Sequence, residues 1–407
     1  MKKRRFFKWG VIIFLILLCV GCRGETQEVK EQDREELVLW SYYETKAQRE
    51  GLNAWIEKFN ASQEKYEVSW EYIPMSEFIK ELSMVVSESS LPDLILVDNP
   101  DMYSLVTTGL LEDLTDRLEG RISKEDYYDE VWTAVEYEGA VYGVPFCCNN
   151  TAIIYNKEIL AEAGIEPPET WEEFRKAAKV LSVDEVDGHY GFIMSAAMGE
   201  QGAFQFMPWL LSTGATGENL SDPRAREAFS LINGLVKENS IPNDCMNWSQ
   251  TDITKIFIDG RAAMMENGPW ALPELEKSGI DYGICSFPVH TSQGVVVGGE
   301  SLAVLKGKNA DGAVEFIDFY RQEEVMKEIS SIMGNVSPVR SVAEKFAEEN
   351  FKYRVFVEQM EYAVSRKSIK DWKNVCKVLS DSLYQLFGGN QPIEEIWQNY
   401  IAGISEN

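Results

Sequence analysis

The chain has 407 residues, 45% of them hydrophobic, with 66 acidic against 39 basic side chains and a formal net charge of −27. Such a surface repels nucleic acid and gains nothing from phosphate contacts, so nucleic-acid binding is excluded and a polyanionic ligand would need a local basic pocket. The length suits two domains better than one. The seven cysteines, at irregular spacings, form neither a disulfide framework nor a zinc motif.

The first segment, MKKRRFFK, is basic, and WGVIIFLILLCV behind it is an apolar run shorter than the roughly 20 residues a spanning helix needs. Together they predict a secretory signal over residues 1–21. Val20-Gly21-Cys22 resembles a bacterial lipobox, with Cys19 where leucine is usual, and this implies a lipid-modified Cys22 as mature N-terminus. Residues 22–36 have almost no apolar content and read as a flexible tether. The leader carries five basic residues and no acid, so its removal leaves the mature chain five units more negative than the whole.

From residue 37 strands and helices alternate. ELVLWSYY (36–43) reads as a strand, Leu52, Trp55, Ile56 and Phe59 fall at helical spacing, and YEVSWEYI (66–73) alternates with period two. Ser76 can cap a helix whose apolar face is Phe78, Ile79, Leu82, Val85 and Val86. LPDLILVD (91–98) is a continuous apolar run, as expected for a buried parallel strand. This order predicts βαβ units and a parallel sheet covered on both faces, with the ligand beyond the carboxyl ends of the strands. Those ends bring together Tyr42, Tyr43, Glu44, Asp98 and Asn99, a binding-site composition.

Further on, TAIIYN (151–156) reads as a strand and ETWEEFRKAAKVL (169–181) as a helix opened by a Thr170–Glu173 capping box. Asp222-Pro223 starts another helix. KIFIDGRAAMMENGPWAL (255–272) combines a helix end, a strand and a turn, and GVVVGGESLAVLKG (294–307) is strand-like with glycine interruptions. The chain is mainly helical from residue 311. Trp55, Trp171 and Trp397 lie on helical apolar faces and are expected in the core. Trp209, Trp270 and Trp372 stand beside turn or polar residues, at element mouths, where an indole can stack on the C–H face of a sugar.

Catalysis has little support. No GxSxG, HExxH or P-loop is present, and the two histidines, His189 and His290, have no neighbouring nucleophile motif. Cys147 and Cys148, adjacent in VYGVPFCCNNTAIIYNK (141–157), are poorly placed to share one tetrahedral zinc and read as small packing residues. No metal and no cofactor is expected.

The stretches YGVPF, YNKEILAEAGIEPPETWEEF, FIDGRAAMMENGPWAL, SLPDLILVDN and GVVVGGESLAVL stand in one order along residues 37–407, behind the lipobox. Together they resemble the family 1 extracellular solute-binding proteins of ABC importers, the group that contains maltose-binding protein. The resemblance implies a two-lobed α/β fold, each lobe a mainly parallel sheet flanked by helices, with the ligand in the cleft between them. It implies lobes of 37–143 plus 299–333 and 144–298 plus 334–407. Also implied are a carbohydrate ligand, delivery to membrane ABC permease subunits, a monomer, and a lipid-anchored place on the outer face of the cell membrane. Carried over by position, the ligand contacts are Tyr42, Tyr43, Glu44, Asp98, Asn99, Asp101, Asn149, Trp270, Glu300 and Trp372. Trp209 joins them on its sequence context alone. No tryptophan stands at Val97-Asp98, where maltose-binding protein stacks a sugar, so a saccharide other than a long maltodextrin is expected. The same features would serve a sugar-sensing co-receptor, and the acidic candidates would also suit a cationic solute such as an amine.

Overall fold

The computed structural model describes residues 34–84, 91–182, 189–389 and 391–405. The leader, Cys19, Cys22, the tether up to Asp33, and Val85 and Val86 lie outside the described residues. Among the described residues, no helix is long and apolar enough to cross a membrane.

The described residues hold thirteen strands, in chain order β1 (Glu35–Ser41), β2 (Tyr66–Tyr72), β3 (Leu94–Asp98), β4 (Glu136–Tyr137), β5 (Ala140–Val141), β6 (Gly143–Pro145), β7 (Ala152–Asn156), β8 (Tyr190–Ile193), β9 (Ala262–Asn267), β10 (Tyr282–Cys285), β11 (Val295–Val297), β12 (Glu300–Val304) and β13 (Ala363–Ser365). They build two main sheets, one ordered β2-β1-β3-β12-β6 and the other β10-β7-β9-β8. Strand β11 pairs with β13, and β4 with β5.

The α/β class and the two-core arrangement follow the sequence. The sheets are mixed, however, where mainly parallel ones were expected. In the first, β1 runs parallel to β2 and β3, but β12 is antiparallel to β3 and β6. In the second, β7 is antiparallel to both β9 and β10, and only β8 and β9 are parallel. The physical reason is that strands returning from the other half of the molecule, such as β12, enter a sheet without a crossover helix, and only a crossover helix enforces parallel pairing.

Each sheet carries its own core. On the first, all five residues of β3 are buried, the signature of a strand covered on both faces. The helix Lys46–Ser62 presses Leu52, Trp55, Ile56 and Phe59 against it, and Thr45 and Gln48 close a capping box at its start. Trp55 stacks on Phe316 with centroids 3.9 Å apart. On the second, the helix Trp171–Val180 begins with the Thr170–Glu173 capping box read from the sequence, and Trp209 meets Phe287, Phe174 and Phe192.

Three chain segments pass between the two cores, and their backbones are zipped together. Phe146 and Cys147 donate to the Glu300 carbonyl, Cys148 and Val336 exchange a pair of hydrogen bonds, and so do Asn149 and Gly298. The contact is so close that Gly299, at φ +121°, would drive a Cβ to 2.3 Å from the Cys147 carbonyl oxygen. Gly299→Ala therefore combines backbone strain with a clash against main chain that cannot step aside. It should cost at least about 2 kcal/mol, read as a lower urea midpoint. A wild-type midpoint would show that the crossing tolerates a side chain.

Candidate ligand cleft

Strand ends from the first sheet and helix starts from the second half surround a cavity of about 350 Å³. From the first side come Tyr42, Tyr43 and Glu44 beyond β1, Tyr72 and Pro74 at the end of β2, and Asp98 closing β3. From the other come Asn149, Glu200, Phe204, Gln250, Trp270 and Arg366. Gly298, Gly299 and Glu300, from the crossing into β12, also line it, as does Asn335 from the third crossing.

Glu300 is the acceptor around which the floor is organised. Tyr42 Oη donates to its Oε1 at 3.0 Å, while Tyr43 Oη at 3.0 Å and Cys147 Sγ at 2.8 Å donate to Oε2. Burial pushes the Glu300 carboxyl above its ordinary range, the Asp98 carboxylate adds to this, and the three donors work the other way. The same burial, with Glu300 beside them, raises the Cys147 thiol and both tyrosine hydroxyls, so all three keep their protons as donors. Cys147 is packed in the first core, as read from the sequence, and in addition donates to Glu300 from behind the cavity wall. Cys148 is buried, with its thiol on the Ser337 carbonyl. Both are free thiols, and among the described residues no cluster could hold a metal ion.

Across the cavity, the Arg366 guanidinium takes Asp98 with both ends: Nη2 reaches Oδ1 at 2.8 Å and Nη1 reaches Oδ2 at 3.2 Å. Nη1 also donates to Glu200 Oε2 at 2.9 Å. The guanidinium lies 5.0 Å from the Phe204 ring centre and 5.9 Å from that of Trp372. Arg366 is only 4% exposed. Burial alone would depress its proton affinity, and Asp98 and Glu200 overcome that and raise it.

Of the residues singled out in the sequence, Tyr42, Tyr43, Glu44, Asp98, Asn149, Trp270 and Glu300 come together on the cavity wall. Four do not, and each has a physical reason. Trp209 is fully buried, with its indole donating to Glu266 Oε2 at 2.9 Å, because Pro208 lies inside the helix Glu200–Ser212 instead of ending an element. Trp372 starts the helix Trp372–Gly388 but is 8% exposed, its indole N–H spent on Glu200 Oε1. Asn99 turns inward to accept from Ser301 Oγ at 2.8 Å. Asp101 stands behind Asp98, in the turn Asn99–Asp101.

Glu200, Phe204 and Arg366 were missed. Glu200 is one of 66 acids and had no distinguishing signal, but Arg366 lies six residues before Trp372, immediately ahead of the polar stretch KSIKDWKN (367–374). Asn150, next to Asn149, is fully buried and tied to the Phe356 carbonyl and to Gln359.

The fold and the cavity define a two-lobed receptor for a small solute. The chain matches the family described as bacterial extracellular solute-binding protein over residues 54–363, and it belongs to that family. It is 23% identical over 357 residues to the multiple sugar-binding protein of Streptococcus mutans, covering 82% of each chain. An ABC transporter solute-binding protein of Thermotoga lettingae, solved with α-D-tagatose, shares the fold with a TM-score of 0.81 at 20% identity over 91% of this chain and 99% of that one. Maltose-bound MalE3 of T. maritima also gives 0.81, at 18% identity over 91% and 99%.

Asp101 offers a pH test. Burial first, then Asp98 and Glu200, push its carboxyl up to about 7 from 3.8, against the pull of Arg366 and Lys373. The folded chain thus holds this proton more tightly than the unfolded chain. Its contribution favours folding at low pH and is lost as pH rises from about 4 through about 7. Asp101→Asn should raise Tm at pH 8, by about 2–4 °C per kcal/mol recovered, and leave it nearly unchanged at pH 4. Parallel wild-type and variant curves across that range would contradict this account.

Proposed function

We propose that the protein captures a short, uncharged carbohydrate between its lobes and hands it to the permease subunits of an ABC importer. In this reading residues 37–143 plus 299–333 form one lobe and 144–298 plus 334–407 the other. The chain is monomeric, secreted behind its leader and anchored by lipid at Cys22 to the outer face of the cell membrane. Its role is binding and delivery, with no reaction at the site.

The observation that carries the ligand class is the composition of the wall. Rings from Tyr42, Tyr72, Phe204 and Trp270 alternate there with amides and carboxylates, the pairing of flat apolar faces and polar groups that a sugar ring needs. The carboxylates Glu44, Asp98, Glu200 and Glu300 face a single guanidinium, Arg366, already paired twice. Among the described residues of the wall, a phosphate or sugar acid would meet net negative charge and no free cation. The cavity is near the lower end of the small-molecule range, which favours a mono- or disaccharide over a long chain. Relatives named for sugars, and neighbours solved with tagatose and maltose, support the same class. The same acidic wall also suits a cationic solute such as an amine, and this is the second reading.

Closure follows from differential affinity: a solute touching both walls binds the closed arrangement better and shifts the population toward it. A thermal-shift screen of the lipid-free chain against neutral sugars, amines and sugar phosphates separates the readings. At ~100-fold over its dissociation constant a ligand adds about 2.7 kcal/mol. A neutral sugar should give the largest shift, and Trp270→Ala should weaken it at least about tenfold, or ~1.4 kcal/mol. A response to amines alone would favour the second reading, and a response to sugar phosphates alone would refute both.

A further inference from the structure

The Arg366 guanidinium ties together elements from opposite sides of the cleft. Asp98 ends β3 in the first sheet. Glu200 opens the helix Glu200–Ser212, and Arg366 follows β13, whose partner β11 packs in the second core. Side-chain exposure is 4% for Arg366 and 10% for Asp98. We propose that the Asp98–Arg366 pair is an interlobe latch: it holds the two lobes together in the absence of solute and sets how far the ligand-free protein stands open.

The argument is one of desolvation. A buried charge is tolerated only while it is paired, and removing one partner leaves the other uncompensated in a poorly hydrated place. In a single compact core that stress can be relieved only by unfolding. In a two-lobed chain the cheaper relief is to part the lobes and let water reach the orphaned group. Glu200 keeps part of the guanidinium's compensation when Asp98 is removed, but it comes from the same side of the cleft as Arg366, so what Asp98 alone supplies is the bridge between the lobes. The bidentate geometry fits this role, since two parallel N–H···O contacts fix orientation as well as distance. Arg366 therefore acts here as a positioning residue for the lobes, and the proposal holds whichever solute the cleft takes.

The test needs no ligand. The mature chain is stripped of bound solute by unfolding and refolding, and its radius of gyration is measured by small-angle X-ray scattering. A compact chain of this size should give about 21 Å, and Asp98→Asn and Arg366→Gln should each add about 1 Å. Glu200→Gln, which spares the pair across the cleft, should stay at the wild-type value, and Arg366→Lys should recover part of the loss. A merely structural role would not sort the variants this way. Cooperative melting checks that each variant is folded, and Asp98→Asn is close to isosteric should Arg366→Gln fail that check. Wild-type dimensions in folded Asp98→Asn would overturn the latch. So would equal expansion in Glu200→Gln, which would make the effect one of general packing.

Discussion

Between its two cores the chain crosses three times, and the crossings are fused by main-chain hydrogen bonds into one short strip. That strip decides where the cleft side chains stand. Because Gly299 can turn at φ +121° against the Cys147 carbonyl, β12 begins directly after it with Glu300 level with Asp98. Glu300 is then presented to the cleft floor, within reach of Tyr42, Tyr43 and Cys147. A residue with a Cβ at position 299 would push the strands apart and take the acceptor away from its three donors.

The cleft gathers four carboxylates in a small volume, an arrangement that would repel itself if left bare. Two different solutions keep it stable. Glu300 is surrounded by hydroxyl and thiol donors that retain their protons, so hydrogen bonds rather than a cation satisfy its carboxyl oxygens. Asp98 and Glu200 instead share one guanidinium, whose flat faces lie near Phe204 and Trp372. Among the described residues the outcome is a site with polar acceptors, aromatic faces and no spare positive charge, which is the basis for favouring an uncharged solute.

The second core supports this wall from behind. Glu266, fully buried in β9, accepts from Thr151 Oγ1 and from the Trp209 indole, and burial raises its carboxyl far above the ordinary range. One residue further, Asn267 is held by Thr254 and the Gln250 carbonyl, and Gly268 leaves room for the Trp270 ring, which would stand 2.0 Å from a Cβ there. Trp209 thus belongs to the foundation of the strand that presents Trp270, not to the ligand surface.

Local chemistry in the sequence determined a good deal. The Thr170–Glu173 capping box, the apolar run Leu94–Val97 of β3, the strand tips at Tyr42–Glu44 and Asp98, and the glycine break before Glu300 are set by interactions within a few residues, so they were legible without a fold. Pro208 shows the limit, because proline as a local breaker misread a helix interior that surrounding core contacts sustain. What only the tertiary structure decided are the long-range pairings. Asp98 and Arg366 are separated by 268 positions, and Glu200 and Trp372 by 172. An ion pair or an indole hydrogen bond leaves no periodicity in the chain, since its partners are chosen by the meeting of two lobes and not by spacing. The same reason explains the mixed sheets: the direction of β12 beside β3 depends on how the chain returns from the other lobe, and no neighbouring residue encodes that.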